Sequence, residues 1–336
     1  MNPGFLVKNN KNCYIIRVFN FNFMAILVSG SLAYDYIMDF PDSFKNNILP
    51  NQLHILNVCF VVDNLQRNFG GTAGNIAYTM NLLSAEPLIF APLGEDGKDY
   101  LNYFKKLNLK TDYIFLSQEK LTASAHITTD KDNNQITAFY NGALIEGEKI
   151  AVKDLKDDVA FALISPTQKE VMIKHAKECY ELQIPFCFDP GQQVTAFSAQ
   201  ELMMVIGQAK FLIGNDYELK LIEEKTGWGV FELLKHVEVV IITLGEKGSL
   251  IVNKDGAIEV GVCPAISVDD PTGAGDAYRA GFFSAFVKGK DLKTCGQVGA
   301  VAATYAVENY GTQNHCFTLA EFKNRYEKAF VENLTW

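Results

Sequence analysis

The residues with the clearest chemistry lie in one short run, Asp269-Asp270-Pro271-Thr272-Gly273-Ala274-Gly275-Asp276. It holds two glycines, a hydroxyl and three carboxylates just before an amphipathic helical pattern. Glycines let backbone N–H groups turn toward an anion, and a helix N-terminus adds positive partial charge. Such a segment suits a phosphate whose charge grows in a transition state. Asp276, at the end of the run, stands where it can take a proton from an attacking hydroxyl. An anion cradle beside a base implies phosphoryl transfer to an alcohol. Taken alone, the same aspartate also reads as an ordinary helix cap.

A second glycine-rich block, Gly70-Gly71-Thr72-Ala73-Gly74-Asn75-Ile76-Ala77, lies about two hundred residues earlier. One such block is weak grounds for a function; two in order and at this separation are strong. Together they resemble the two signatures of the ribokinase-like (PfkB-type) carbohydrate and nucleoside kinases, and the resemblance runs from Met24 to about Tyr326. It implies ATP as phosphoryl donor, Mg²⁺ with it, and a single in-line displacement; a K⁺ requirement is left open. It assigns Asp276 as base and Gly273, Ala274 and Gly275 as N–H donors to the transferring group.

For the acceptor, the resemblance points to Asp35 and Asn75 as ligands of sugar hydroxyls, with Gly70 and Gly71 letting the backbone come close to the substrate and Ser31 a further substrate contact. Asp35 follows the first strand pattern, and a carboxylate suits a vicinal diol. For ATP it points to Asn215, the loop Thr243-Leu244-Gly245-Glu246-Lys247-Gly248 (with Thr243, Gly245, Lys247 and Gly248 as contacts) and Asn309, with His315 a weaker choice. Glu218 completes an Asn-x-x-Glu motif that the resemblance connects with Mg²⁺, through water. The same four residues also spell a plain helix start. Asp270 is expected to help organise phosphate or metal water. Arg279, one turn into the following helix, either approaches the phosphates or forms a surface ion pair.

Several segments lean toward adenosine as acceptor. They are Gly30-Ser31-Leu32-Ala33-Tyr34-Asp35, Phe40-Pro41, Leu49-Pro50-Asn51-Gln52-Leu53-His54 and Asp189-Pro190-Gly191-Gln192-Gln193. They resemble bacterial adenosine kinases of the sugar-kinase type, in which paired glutamines like Gln192 and Gln193 sit near the nucleoside. Phe139 could stack on the base. The strand around Ala125-His126, where that group offers a second aromatic, offers only His126 here. The competing readings are a ribose, fructose or other sugar kinase and a non-catalytic nucleotide or sugar sensor. A dinucleotide-binding oxidoreductase is disfavoured, since residues 70–74 do not spell G-x-G-x-x-G.

Positioning these residues requires strands that end together. Short continuous apolar runs at 25–31, 88–91, 160–165, 186–189, 211–214 and 239–243 alternate with helical patterns at 100–107, 169–180 and 296–308. Runs of this kind belong to parallel strands buried on both faces. The alternation predicts an α/β fold with a doubly wound, mainly parallel sheet whose crevice lies beyond the carboxyl ends of the strands. Ser31, Ser165, Asp189, Asn215 and Thr243 would all face that crevice. Two stretches of mixed polarity, 53–63 and 123–139, read as hairpin-like strands, the second turning at Asp130-Lys131-Asp132-Asn133-Asn134. With the resemblance they become a small β-sheet lid inserted around 34–63 and 122–141 of a kinase domain spanning 24–330. Residues 1–23 read as an extension upstream of a natural start at Met24, with a short N-terminal arm as the alternative.

The 336 residues carry 30 Lys and Arg against 39 Asp and Glu, a formal net charge of −9. No basic stripe suggests nucleic acid as partner, and no apolar run of about 18 residues suggests a membrane span. The expected partners are a small nucleoside or sugar and ATP, with a homodimer through the lid a weak expectation. The seven cysteines are scattered without a C-x-x-C pair, which reads as reduced thiols in a cytoplasmic protein.

Overall fold

The structure is a computed structural model that describes residues 5–9, 12–16, 25–55, 57–132 and 134–336. Its large sheet has nine strands. From one edge to the other they are Gly256–Val260, Ser249–Asn253, Val239–Thr243, Phe211–Asn215, Phe186–Phe188, Val159–Ile164, Ala25–Ser29, Pro87–Leu93 and Ile114–Leu116. The strands from Val239–Thr243 onward run parallel to their neighbours, and the two at the near edge are antiparallel.

Alternate residues of the central strands feed two separate cores. Ile26, Val28, Phe161 and Leu163 pack on one side with residues of the helices Thr72–Leu82, Ala274–Val287 and Leu292–Val307. Leu27, Ala162 and Ile164 pack on the other side with the helices Lys169–Glu181, Ala199–Ile206 and Asp216–Thr226. Burial on both faces explains why these strands are continuously apolar. The expected doubly wound, mainly parallel sheet is therefore present. The antiparallel pair 249–260 was not anticipated; its strands are joined by a turn in which Asn253 Oδ1 accepts from the N–H groups of Asp255 and Gly256.

A separate four-stranded sheet has the order Asn64–Gly70, Ala33–Asp39, Ala123–Thr129, Gln135–Tyr140. The hairpin expected at 123–139 is there. Its turn is held by Asp130, whose carboxylate accepts from the backbones of Phe44, Asp132 and Asn134; Asn133 lies outside the described residues. The strand expected over 53–63 is not there. Residues 50–55 form a 3₁₀ turn and the strand begins at Asn64, while Phe60 packs on Phe40 and Phe44. Phe60 thus joins a local aromatic cluster, while Ile55 and Val61 are exposed.

Strands Phe5–Asn9 and Asn12–Ile16 pair antiparallel with each other as a sheet of their own. The start expected at Met24 lies outside the described residues. Cys59, Cys179, Cys187, Cys263 and Cys295 are free thiols, but Cys316 is disulfide-bonded, which departs from the expectation that all seven are reduced. Among the described residues no helix is long and apolar enough to cross a membrane.

Candidate active site

A cavity of about 1070 Å³ opens beyond the carboxyl ends of the parallel strands and under the small sheet. Ser31, Asp189, Asn215 and Thr243 reach it from successive strand ends, as expected; Ser165 does not, and Pro166, Thr167 and Gln168 line it instead. Of the residues read as site residues, the lining also includes Asp35, Gly71, Asn75, Phe139, Gln192, Gln193, Glu218, Gly245, Gly248 and all of Gly273, Ala274, Gly275 and Asp276.

The run 269–276 turns into a helix, with the Ala274 N–H donating to Pro271 O at 3.3 Å. Gly273 has φ +80° and starts the helix Ala274–Val287, and a Cβ there would lie 2.9 Å from Thr312 Cγ2. Asp270 ties the run down: its carboxylate accepts from the N–H of Thr272 at 2.9 Å and of Gly311 at 3.0 Å. Its oxygens are therefore engaged by backbone, where an association with phosphate or metal water was expected. Asp276 sits in the first helical turn, and Asn75 Nδ2 donates to its Oδ2 at 2.8 Å. Burial raises the Asp276 pKa to about 6, although the Asn75 bond and the Arg279 charge pull the other way.

Asp35 lies on the small sheet in register with Asn68 and Ala125, and Ala125 is in register with Phe139. Residues paired across strands share a face, so Asp35 and Phe139 both look into the cavity. Burial first, then the charges of Asp276 and Asp270, raise the Asp35 pKa to about 6. His126, paired with Tyr36 and Ala138, faces the other way and stacks on Tyr36 at 4.9 Å. The period-2 alternation of the strand thus rules it out as a partner for a bound base, and Ala125 holds the inward position.

The Gly-Gly block starts the helix Thr72–Leu82. Gly71, at φ +87°, brings its backbone so near that a Cβ would lie 2.6 Å from Ser31 O. Ser31 Oγ accepts from Thr72 N at 3.0 Å. Gly70 supports the site without lining it: a Cβ there would lie 2.2 Å from Asp35 Oδ2, and its carbonyl accepts from Tyr100 Oη at 2.7 Å.

Four further readings are corrected by position. Arg279 is neither on the surface nor free for phosphate: its Nε and Nη2 donate to the Asp189 oxygens at 2.5 and 2.7 Å, both side chains are buried, and Nη1 donates to Gly275 O at 3.0 Å. Lys247 is exposed by the short 3₁₀ turn Gly245–Lys247, and Glu246 lines the cavity in its place. Asn309 does not line the cavity; its Nδ2 donates to Tyr305 O at the helix end. His315 is buried behind the site against Thr79 and Tyr78.

Asn215 and Glu218 form a complete capping box, each side chain bonded to the other's backbone N–H at 2.8 Å. This leaves one Glu218 oxygen outside the box, at the cavity. Among the described residues no cluster of three or more His, Cys, Asp or Glu side chains could hold a metal by itself. The lining carries Asp35, Asp189, Glu218, Glu246 and Asp276 against the single cation Arg279, which is committed to Asp189. A polyanion entering such a cavity needs backbone N–H groups and a cation brought with it. Mg²⁺, which keeps several waters and takes few protein ligands, fits that donor set.

Sequence reasoning passed over Thr312, Gln313 and Tyr100. Thr312 lines the cavity and its hydroxyl donates to Phe69 O at 3.1 Å. Gln313 and Tyr100 lie behind Asn75, where no local pattern marks them.

The two-core α/β fold with a covering sheet, and a glycine-rich helix start beside a half-buried carboxylate, define a kinase class that phosphorylates a hydroxyl. The sequence matches the pfkB family carbohydrate kinase profile over residues 46–318. The chain belongs to that family of phosphotransferases. It is 34% identical over 304 residues, 89% of this chain and 95% of the other, to a nucleoside kinase of Methanocaldococcus jannaschii. The structure of a Burkholderia thailandensis nucleoside kinase in complex with inosine superposes with a TM-score of 0.84 at 37% identity, covering 92% of this chain and 99% of that one. The same kinase in complex with ADP-inosine superposes with a TM-score of 0.82 at 38% identity, over 92% and 97% of the two chains.

Proposed function

We propose that this protein transfers the γ-phosphoryl group of ATP to the 5′-hydroxyl of a purine nucleoside, adenosine first among them, giving AMP and ADP. The observation that carries the reading is the half-buried Asp276 carboxylate, held by Asn75 at the head of a glycine-opened helix and looking across the cavity toward the small sheet that bears Asp35 and Phe139. Similarity to nucleoside kinases, one of them bound to inosine, supports a nucleoside acceptor and puts inosine beside adenosine.

In this reading Asp276 accepts the proton of the 5′-hydroxyl as that oxygen attacks the γ-phosphorus. The backbone N–H groups of Gly273, Ala274 and Gly275 face the charge that develops on the phosphoryl oxygens. Asp35 and Asn75 hold the ribose hydroxyls, with Ser31 and Gly71 shaping that wall. Phe139 stacks on the base and Gln192 and Gln193 offer amide donors and acceptors to its edge. Asn215, Thr243, Gly245 and Gly248 border the nucleotide. Mg²⁺, carried in on the ATP phosphates and approached through water by Glu218, supplies charge neutralisation that the acidic lining cannot. Residues 24–330 form the kinase domain and residues 1–23 an extension to it. We place the protein in the cytoplasm.

A free sugar such as ribose or fructose is the second reading, favoured by Ala125, which leaves Phe139 as the one inward ring on its row of the covering sheet. Measuring ADP release from Mg·ATP with adenosine, inosine, guanosine, ribose and fructose separates the two. Turnover selective for adenosine or inosine supports the proposal. Turnover with a free sugar alone moves the acceptor to the second reading, and turnover with none of them overturns both readings of the acceptor.

A further inference from the structure

Behind Asp276 runs a chain of buried polar groups of which the proposed reaction uses only Asn75 directly. Tyr100 Oη donates to Gly70 O at 2.7 Å. Gln313 Nε2 donates to Tyr100 Oη at 2.6 Å and to Asn75 Oδ1 at 3.0 Å. Asn75 Nδ2 then donates to Asp276 Oδ2 at 2.8 Å. Tyr100, Gln313 and Asn75 are all buried.

The direction of every hydrogen in this chain is determined at its far end. A backbone carbonyl can only accept, so the Tyr100 hydroxyl hydrogen points to Gly70. The Tyr100 oxygen is then an acceptor toward Gln313, which must turn its NH₂ inward. That NH₂ spends its second hydrogen on Asn75, which must present its carbonyl to Gln313 and its NH₂ to Asp276. Reversing the Gln313 amide would set its Oε1 against two other oxygens. The observed arrangement is kept even though Gln313 Oε1 is buried with no hydrogen-bond partner among the described residues. Leaving a buried acceptor unpaired is costly, so the inward NH₂ outweighs that cost. Gly74 makes room for the chain: a Cβ there would lie 2.1 Å from Tyr100 Oη and 2.9 Å from Gln313 Nε2.

We propose that Gln313 is a positioning residue, which together with Tyr100 holds the Asn75 amide so that its NH₂, and not its carbonyl, faces Asp276. This rests on the reading of Asp276 as base. A donor at that carboxylate favours its charged form, the form a base needs; a carbonyl in the same place would disfavour it. The chain thus extends the site across 238 residues of sequence, from Asn75 to Gln313.

The test is the pH profile of kcat for Mg·ATP and adenosine in Gln313→Glu, Gln313→Leu and Tyr100→Phe. Gln313→Glu keeps the side chain's shape but replaces the donor by an acceptor, and so turns Asn75 around. The expected result is an acid limb moved upward by about one pH unit, a loss of about fivefold at pH 6 that approaches about tenfold at lower pH and nearly vanishes at pH 8, with KM for ATP unchanged. Gln313→Leu and Tyr100→Phe, which remove a link without adding charge, should move the limb in the same direction by less, and they keep the test open if the buried glutamate unfolds the protein. Asp276→Asn is run beside them. If it is inactive while the acid limb of the three variants stays at its wild-type position, the positioning role is wrong and the base stands. If Asp276→Asn retains turnover, the base reading itself falls, and the positioning role with it.

Discussion

Arg279 grips Asp189 through two hydrogen bonds, Nε to Oδ2 at 2.5 Å and Nη2 to Oδ1 at 2.7 Å, in a site where both side chains are buried. The pair ties the helix that carries Asp276 to the end of the strand Phe186–Phe188, and a third bond from the guanidinium reaches Gly275 O. Removing either partner leaves an uncompensated buried charge. Asp189→Ala should therefore cost about 3–5 kcal/mol of stability, and Arg279→Lys, which cannot form the planar fork, should lose part of it. Urea unfolding of both variants measures this; an Asp189→Ala variant as stable as the parent would mean that the pair carries no such load.

Asp276→Asn should abolish most turnover while leaving adenosine and ATP binding nearly intact, because the amide keeps the side chain's shape but cannot take a proton. Calorimetric binding beside steady-state kinetics checks the split. Equal loss of binding and turnover would assign Asp276 to holding the acceptor.

The acid limb of the wild-type profile follows from two carboxyls. Burial raises both Asp276 and Asp35 to about 6, and the Asp276 charge is a further cause at Asp35. The base works only when deprotonated, and a raised pKa means that the proton returns as pH falls through that value. kcat/KM should drop below about pH 6 and tend to a slope of two well below it, through two separated steps, since the first proton removes the negative charge that favours the second. Asp35→Asn should reduce the limb to a single titration; a wild-type limb already of slope one would show that only one of the two matters.

Phe139 is 54% exposed, so its loss should hardly affect folding. If it stacks on the base, Phe139→Ala should raise KM for adenosine by the equivalent of roughly 1–3 kcal/mol and leave KM for ATP alone. An unchanged adenosine KM would move the base elsewhere.

Gly273→Ala puts a Cβ at φ +80° against Thr312, where both strain and a close contact act. It should reduce kcat by about a hundredfold, the order seen on losing one oxyanion donor, with little change in the affinity for adenosine. Kinetics with a thermal melt separate that from misfolding.

Much of this was legible in the chain because it is locally encoded. Continuous apolar runs name doubly buried strands, and their last residues, Ser31, Asp189, Asn215 and Thr243, name the crevice. Asn215 and Glu218 show the limit of a motif, since the capping box of an ordinary helix start already accounts for Asn215 Oδ1 and one Glu218 oxygen. Arg279 and Asp189 were each visible, but nothing local pairs residues 90 positions apart. Gln313 and Tyr100, separated by 213 positions, have the same history. The strand misplaced at 53–63 failed for a related reason: Phe60 answers to Phe40 and Phe44, while the true strand, Asn64–Gly70, is mostly polar and lies at a sheet edge.

The register of the small sheet has a geometric consequence. Asp35, Ala125 and Phe139 lie in one row across three strands. Neighbouring strands are about 4.8 Å apart, so the carboxylate and the ring are rooted about 10 Å from each other. Backbone hydrogen bonds set that interval, and no change of side chain alters it. In the proposed reaction the sheet behaves as a caliper with one jaw on the pentose and the other on the base. A compound that fills one jaw only leaves the other gripping water, and selectivity for acceptors would then be a matter of length before it is one of chemical identity.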